Sequence, residues 1–506
     1  MNRCKWTAFF AISLLLINVL TAPAVEYSGG LKIRYDRGRE VNPQSLNAYP
    51  NNLTDRSYLE GLFTSDFIFD NPKFGDKFRF SLRMQEFRPS DMDKDLFQLR
   101  KERRWNDKIY AQLNWNGWEL WAGDVYETFG KGLALNLFEN RDLYFDTGLR
   151  GGKVVYRGEK LRFKAINGRC RDIYLVKEEN VSGMNVETKP VSNMQIGAAL
   201  VYQEGLSSDE GAAYKPHFDP GIYAGWNLDP VSIYAEYAQR REEDFSQTIG
   251  DGLFTSLTAF AAGVAAQFNY KYYHFGYNNS YSTPPICQRE FTTKLLSTHP
   301  HVPLIDDQVG YELELSASPH GLLFLSLNFS QASQHKGNSL IPALNQDYAP
   351  FWELFLESEY YPRLDLTTRF GLGWNEEAGN NFWQKKTGAL SEVIYNIDDY
   401  WSLTLLAERM WVDDIEFNQY HSDNYWAATL GRAPYGSITF SYENSTKSSI
   451  VEGDEWIGGE LALTIKSQHR LTIFYGQERG GLKCTSGVCR PVQPFEGFRV
   501  GYEGRF

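Results

Sequence analysis

The sequence lacks a long, unbroken apolar segment beyond its amino terminus. The longest candidate, Leu257 to Phe268, is interrupted by polar residues and is shorter than the about 20 residues that a membrane-spanning helix needs. A chain crossing a membrane by helices is therefore excluded for this part of the sequence. The mean hydropathy of −0.44 does not exclude crossing by strands, because only alternate residues of a transmembrane strand meet lipid.

Catalytic motifs are also missing. The sequence has no Gly-x-Ser-x-Gly nucleophile turn and no His-Glu-x-x-His zinc motif. Gly130-Lys131 is not a phosphate loop, because no Ser or Thr follows the lysine. We therefore predict that the protein is not an enzyme, has no catalytic residue and uses no cofactor.

Basic residues are too few for a nucleic-acid partner. The chain has 51 basic and 63 acidic residues and a net charge of −12. Because phosphate backbones are bound by basic surfaces, this balance argues against nucleic acid.

Cysteine is scarce, with five residues, of which Cys4 precedes the first apolar run. Thr-Ser-Gly-Val separates Cys484 from Cys489 and can form a turn, so we predict a disulfide between them. A metal-binding pair is the alternative, but no His or further Cys is near in sequence, and we predict no metal site. Cys170 and Cys287 could pair only if their loops meet, which the sequence does not decide.

A second stretch resembles a metal site only in part. Asp91, Asp93 and Asp95, with Glu102 at the twelfth place, follow the spacing of a calcium loop. Leu96 occupies the place where that loop needs glycine. We interpret the stretch as an acidic extracellular loop.

Residues 1–24 have the features of a secretory signal. Arg3 and Lys5 precede the apolar run from Trp6 to Leu20, and Ala22-Pro-Ala24 fits a cleavage site. We therefore expect export and a mature chain of residues 25–506.

Aromatic residues, in contrast, are plentiful, at 15% of the chain. From Tyr27 onward, apolar and polar residues alternate in short runs, which is the two-residue period of a strand with two different faces. In one such run, Phe78 and Phe80 alternate with Arg79 and Ser81. Counting the runs predicts about 24 strands, within a range of 22 to 26.

The connections between these strands alternate between tight turns and long polar loops. Asn116-Gly117 is a strong hairpin signal, and we expect another turn at Asn269 to Lys271. About 11 tight turns and a dozen longer loops are typical of an outer-membrane barrel with short periplasmic turns and long extracellular loops. An even strand number places both termini in the periplasm.

The last strand has no later partner. Phe498, Val500, Tyr502 and Phe506 fall on one face, opposite Arg499 and other charged residues. The most economical arrangement is a closed barrel in which this strand pairs with the first. A terminal strand of a soluble β-protein is the alternative. The pattern resembles the closing strand of bacterial outer-membrane barrels, which implies that these four residues are recognised by the barrel-insertion machinery.

One glycine-rich segment, Gly123 to Gly152, does not have the composition of a solvated loop. Its charged residues could pair with each other or with the barrel wall, and its glycines allow close approach. We predict that it folds into the lumen as a constriction; a large extracellular loop is the alternative. The candidate constriction residues are Gly123, Asp124, Tyr126, Phe129, Gly130, Gly132, Arg141, Asp146, Arg150 and Gly151.

The same segment carries a family resemblance, together with Arg479 to Pro491 near the carboxy terminus. The motif residues are Gly123, Asp124, Tyr126, Phe129, Gly130, Gly132, Leu133, Arg141, Leu143, Asp146, Leu149, Arg150 and Gly151. They resemble an uncharacterised, porin-like family of bacterial outer-membrane barrels that is described as a domain of unknown function. The resemblance implies a barrel over nearly the whole mature chain, and no activity.

These observations predict one all-β, antiparallel transmembrane barrel in a bacterial outer membrane. A barrel of about 24 strands has a wide lumen, so we expect a porin-like channel for small polar solutes, surrounded by outer-membrane lipid. A docking or assembly platform for a surface or periplasmic partner is the first alternative, and a soluble secreted β-protein is the second.

Overall fold

The computed structural model describes most of the chain after residue 24. The described residues are 25–42, 44–45, 47–71, 75–97, 101–170, 179–205, 216–275, 284–291, 293–298, 301–304, 306–379, 382–447, 453–485 and 488–506. The predicted signal segment, residues 1–24, lies outside them and stays a prediction.

Strands dominate the described chain, and 24 of them form one sheet. The 24 strands are β1 (Val25–Val41), β2 (Leu53–Asn71), β3 (Gly75–Arg88), β4 (Glu102–Trp115), β5 (Trp118–Val125), β6 (Leu149–Arg157), β7 (Leu161–Cys170), β8 (Glu179–Val191), β9 (Met194–Gly205), β10 (His217–Asn227), β11 (Val231–Glu242), β12 (Thr248–Ala261), β13 (Val264–His274), β14 (Asp307–His320), β15 (Leu323–Ser333), β16 (Phe351–Arg363), β17 (Leu366–Gly379), β18 (Phe382–Asn396), β19 (Trp401–Asp414), β20 (Gln419–Arg432), β21 (Gly436–Ser445), β22 (Glu455–Ile465), β23 (His469–Glu478) and β24 (Phe495–Arg505).

The sheet closes on itself, as the sequence predicts. Each strand pairs antiparallel with its neighbours in the chain, and β24 pairs with both β23 and β1. The predicted strand number of 24 is therefore confirmed. With strands about 4.8 Å apart and tilted by about 40°, a circular barrel of 24 strands is roughly 48 Å across between backbones.

The closing strand is also the predicted one. Phe506 and Gly29 exchange two backbone hydrogen bonds of 2.6 and 3.0 Å. The Phe506 ring stacks on Phe63 with 6.1 Å between ring centres, so the terminal aromatic residue is fixed on the face that also carries Phe498. Its recognition by insertion machinery stays a prediction.

The two faces of the barrel differ in chemistry. In β11, Ile233 is exposed on one face, whereas Glu236 and Arg240 on the other face are buried. Exposed apolar side chains share the first face in other strands, including Ile222, Leu257, Leu356, Phe370, Leu405 and Phe440. The outer surface is therefore apolar, and the inner surface carries the charged residues.

The two rims also differ. The tight connections and both described chain ends, Val25 and Phe506, share one rim, and the longer connections share the other. One predicted turn was wrong: β12 and β13 are joined at Ala262 and Gly263, not at Asn269 to Lys271. Both residues have positive φ, 52° and 78°, a backbone conformation typical of two-residue hairpins. The apolar run Leu257 to Phe268 is therefore a hairpin.

Helices are few and short in the described chain. Helix α1 spans Asp91–Phe97 and α2 spans Lys294–Thr298. No helix of the described residues has the length and apolarity to cross a membrane. Helix α1 occupies the stretch interpreted above as an acidic loop, and there Asp91 pairs with Lys94 while Asp93 lies 3.7 Å from Arg56.

Candidate functional site

The long connection between β5 and β6, residues 126–148, folds inside the barrel; we call it the first insert. Its side chains and amides contact inward-facing residues from β2 to β11. It contains two short hairpins, Thr128–Phe129 with Leu135–Asn136, and Glu139–Asn140 with Phe145–Asp146. The first insert therefore covers the inner wall over nearly half of the strands.

An ionic network fixes one end of the first insert to β2, β3 and β4. Arg83 makes two hydrogen bonds to Glu139, of 2.6 and 2.8 Å, and a third of 2.7 Å to Asp107. Arg141 reaches Glu60 at 2.9 Å, and Lys108 pairs with Asp146. Because every partner is largely buried, these contacts are screened much less by salt than surface pairs.

The charge state of Glu139 follows from this network. Burial disfavours the charged carboxylate, but the hydrogen bonds and charge of Arg83, together with the charges of Lys108 and Arg141, outweigh burial and lower the pKa of Glu139 to about 2. Glu139 therefore stays ionised at neutral pH, as a bidentate arginine contact requires.

A single carboxylate holds the other end of the insert. Glu236 of β11 accepts hydrogen bonds from the backbone N–H groups of Lys131 (2.5 Å) and Leu133 (3.0 Å). A Cβ at Gly130 would lie 2.5 Å from the Glu236 carboxylate, and Gly130 has φ of 58°. The glycine is therefore needed at this turn for both space and backbone conformation.

Between these two ends the insert packs on apolar and lysine side chains of the wall. Phe129 is fully buried, and a Cβ at Gly183 of β8 would lie 2.9 Å from its ring. Glu127 pairs with Lys153 at 3.2 Å and with Lys164 at 2.7 Å. The wall thus provides both a glycine recess and a basic pair for this part of the insert.

The structure divides the ten candidate constriction residues into two groups. Gly123, Asp124, Arg150 and Gly151 lie in the wall, where Gly123 pairs with Gly151 and Asp124 with Arg150 across β5 and β6. The ion pair between Arg150 and Asp124 is 2.7 Å long, so it ties the base of the insert together. The other six residues lie within the insert: Tyr126, Phe129, Gly130, Gly132, Arg141 and Asp146. Their role as a constriction stays a prediction.

A second insert also lies inside the barrel, and the sequence did not predict it. It is the connection between β13 and β14, residues 275–306, described at 275, 284–291, 293–298, 301–304 and 306. Glu408 of β19 accepts hydrogen bonds from the backbone N–H groups of Lys294 (2.9 Å) and Leu295 (2.8 Å) at the start of α2. Glu408 thus holds the second insert as Glu236 holds the first.

Aromatic packing fixes the rest of the second insert. The Phe291 ring lies 5.0 Å from Phe355 of β16, and His301 stacks on Phe351 at 4.0 Å. His301 also hydrogen-bonds Glu377 at 2.6 Å. All three wall residues face the lumen, because Leu356 and Phe370 on the alternate positions are exposed outside.

A sequence signal for the second insert lies in the wall of the barrel. A Cβ at Gly388 of β18 would lie 3.0 Å from Leu296, and one at Gly373 of β17 would lie 4.0 Å from it. Glycines at inward positions of central strands are a recognised sign of close approach by another segment.

Cys170 and Cys287 lie in one apolar cluster that joins the first insert to the second. Burial raises the pKa of the Cys287 thiol to about 12. Among the described cysteines, the disulfide joins Cys484 to Cys489, as predicted.

The disulfide closes a hairpin between β23 and β24, formed by Gly481–Thr485 and Val488–Val492, which we call the terminal hairpin. It touches both inserts: it contacts α2 of the second, and Lys483 lies 3.1 Å from Asp142 of the first. The Arg490 guanidinium lies 3.8 Å from the centre of the Tyr144 ring. The three segments therefore form one continuous body.

This geometry defines a class: a large closed antiparallel barrel with an apolar exterior and a lumen occupied by its own loops. Within that class, the chain belongs to the family of unknown function DUF6029, whose profile matches residues 73–301 and 368–506. The matched ranges include both sequence motifs described above, so the predicted family membership is confirmed. No curated protein sequence matches the chain significantly.

Several solved outer-membrane barrels are similar to the chain in fold. The siderophore receptor PirA from Pseudomonas aeruginosa is 8% identical, with a TM-score of 0.44, over 96% of this chain and 81% of the receptor. The translocation pore of the P pilus usher PapC is 10% identical, with a TM-score of 0.45, over 95% of this chain and 99% of the pore. A BenF-like porin from Pseudomonas fluorescens Pf-5 is 10% identical, with a TM-score of 0.39, over 81% and 99%.

Proposed function

We propose that the protein is an outer-membrane channel for small polar solutes, narrowed by its two inserts and the terminal hairpin. The observation that carries the proposal is the course of the first insert, which runs along inward-facing residues from β2 to β11. A loop held in this way reduces the open cross-section of a lumen that would otherwise be wide.

The membrane location is supported by the outer surface. Exposed apolar side chains recur at alternate strand positions, as a lipid-facing barrel exterior requires. The short-turn rim with both chain ends would face the periplasm, and the long-loop rim the outside.

The preference for polar solutes is supported by the residues on the inner face. Lys32 of β1 and Glu503 of β24 form an ion pair of 3.2 Å on that face, and their side chains are 51% and 61% exposed. Apolar solutes would find few partners on such a surface, whereas polar solutes can exchange water for charged groups.

Conductance of the purified mature chain in planar lipid bilayers tests the proposal. We expect discrete conducting steps for the wild type, and larger steps when the first insert is released from its network. Absence of conductance in both proteins would reject a channel and would favour the alternative, a docking or assembly platform. Flotation of the native protein with outer membranes tests the location separately.

A further inference from the structure

On the outer face of the barrel, away from the lumen, four residues with metal-binding side chains come together at the long-loop rim. Strand register places Asp251, His274 and Asp307 in one row across β12, β13 and β14, because Asp251 pairs with His274 and His274 with Asp307. His335 follows two residues after the end of β15 and turns back onto this row. A row fixed by three adjacent strands is a rigid scaffold for a site.

Three of these side chains already bring their donor atoms together. The ligand atoms of His274, Asp307 and His335 all lie within 4.8 Å of one another. Asp307 Oδ1 is 2.6 Å from His335 Nδ1 and 3.5 Å from His274 Nδ1. Tetrahedral zinc with ligands at about 2.1 Å needs donor atoms about 3.4 Å apart. The distance between Asp307 and His335 would have to lengthen by about 0.8 Å, which a small rotation of the partly exposed Asp307 carboxylate provides.

We propose that His274, Asp307 and His335 form a binding site for a divalent transition-metal ion of the Zn²⁺ type. Two imidazoles and one carboxylate suit such an ion better than Mg²⁺ or Ca²⁺, which prefer oxygen ligands. Water completes the coordination, because the side chains of His274 and Asp307 are 51% and 38% exposed.

The surroundings support this assignment. Burial lowers the pKa of His335 although Asp307 opposes the shift, and so favours the neutral imidazole, which is the form that binds a metal ion. Tyr272 and His335 pack in a T-shaped arrangement with 4.4 Å between ring centres, which restricts the imidazole. Asp251 adds a second negative charge beside His274.

The ion would fasten a loop to the barrel exterior. His335 opens the connection 334–350, which folds back over β13 to β15: Tyr270 donates a hydrogen bond to the Leu340 carbonyl at 2.8 Å, and the Ala343 N–H donates to Ser333 at 2.7 Å. Tyr270 and Tyr272 alternate with the lumen-facing residues Lys271 and Tyr273, so this loop lies outside the wall. Metal binding would therefore stabilise its position.

Zinc titration of the untagged, folded protein in detergent micelles tests the site, by calorimetry for affinity and by elemental analysis for stoichiometry. We expect one Zn²⁺ per chain in the wild type, and affinity reduced about tenfold or more in His274→Ala and Asp307→Asn. His320→Ala, at the opposite rim, is the matched control and should bind normally. His274 is half exposed, so its substitution should leave the barrel folded, which far-UV circular dichroism checks.

Hydrogen exchange provides a readout specific to the loop. Zn²⁺ should slow exchange in residues 334–350 of the wild type and of His320→Ala, but not of His274→Ala. The proposal is overturned if the wild type shows no saturable Zn²⁺ binding, or if His274→Ala binds as the wild type does. If His320→Ala also lost binding, the loss would not be specific to the proposed site, and the proposal would likewise be overturned.

Discussion

The two inserts are both held against the inner wall of the barrel, but by different interactions. Each is held by one buried wall carboxylate that accepts two backbone N–H groups, Glu236 for the first and Glu408 for the second. Beyond that shared contact, the first insert adds a network of ion pairs around Arg83 to its apolar packing, whereas the second combines rings such as Phe291 and Phe355 with fewer charged contacts among the described residues. The difference indicates that substitutions that change a charge should loosen the first insert more than the second.

Ion pairs and aromatic packing also differ in what releases them. A buried ion pair that loses one partner leaves an uncompensated charge, which is strongly destabilising. An aromatic contact is independent of charge and tolerates changes in salt and pH. The first insert is therefore the better candidate for a segment that can move.

The largest effect is expected from charge reversal at the first network. Arg83→Glu would place a carboxylate against Glu139 and Asp107 and release the first insert, so single-channel conductance should rise severalfold. Arg79→Glu is the matched control, because Arg79 lies in the same strand and pairs with Asp66 of β2 instead of the insert. Equal conductance of the two variants would contradict the assignment.

The corresponding change at the second insert sharpens the comparison. Arg289 pairs with Glu357 and also packs over Phe355, 4.5 Å from the ring centre. Arg289→Glu should raise conductance less than Arg83→Glu, because aromatic contacts of the second insert remain. A larger rise for Arg289→Glu would reverse the ranking of the two inserts.

Acid should loosen the first insert through Glu139. Its pKa in the folded protein, about 2, is below the ordinary value of 4.5, so its contribution to stability is complete above pH 4.5. The contribution is lost as the pH falls from 4.5 towards 2, because protonation then accompanies release. Hydrogen exchange in residues 126–148, corrected for intrinsic rates, should increase over this window. This acid-induced increase in exchange should be absent from Glu139→Gln. If the increase persists unchanged in that variant, a group other than Glu139 causes it.

Smaller and local effects are expected from the two wall carboxylates. Replacing either carboxylate by glutamine removes one hydrogen-bond acceptor. It should lower the free energy of local opening by about 2 kcal/mol, which raises the equilibrium constant for opening about 30-fold. Glu236→Gln should speed exchange of the Lys131 and Leu133 amides, and Glu408→Gln that of Lys294 and Leu295. Each variant serves as the control for the other. Faster exchange at both inserts in one variant would show that they open together.

The smallest effect on the two inserts is expected from reduction of the Cys484–Cys489 disulfide. Its loop is short, so the chain-entropy contribution is about 2 kcal/mol, confined to the terminal hairpin. Because that hairpin touches both inserts, reduction should raise exchange modestly in each, with the barrel intact. A Cys484→Ser, Cys489→Ser variant should match the reduced wild type. Unfolding of the barrel on reduction would contradict this account.

The barrel was predictable from sequence because it depends on local patterns. Two-residue alternation and turns such as Asn116-Gly117 report strands one hairpin at a time, and the free edge of β24 requires closure. The turn at Ala262 and Gly263 was misplaced because the residues that flank it are small and apolar. Apolar and polar residues therefore do not alternate there. The first insert could be singled out because its own glycines, such as Gly130, are unusual for a solvated loop.

The second insert and the outer His–Asp cluster could not be predicted, because their signals are distant in sequence. The recess for Leu296 is made by Gly373 of β17 and Gly388 of β18, which are far from Leu296 along the chain. His274, Asp307 and His335 become neighbours only through the register of β13 and β14 and a returning loop. Sequence spacing carries no such information.

The location of the first insert in the lumen is the claim on which the channel proposal depends, and photo-crosslinking tests it most directly. Lys131 is exposed at the turn of the insert, with its ammonium group 5.8 Å from the centre of the Tyr234 ring in β11. A photoreactive side chain at position 131 should crosslink to the peptide that contains Tyr234, whereas the same group at Lys160, in the tight turn between β6 and β7 and four strands away from β11, should not. Crosslinking from position 131 to lipid or to no barrel peptide would contradict the account.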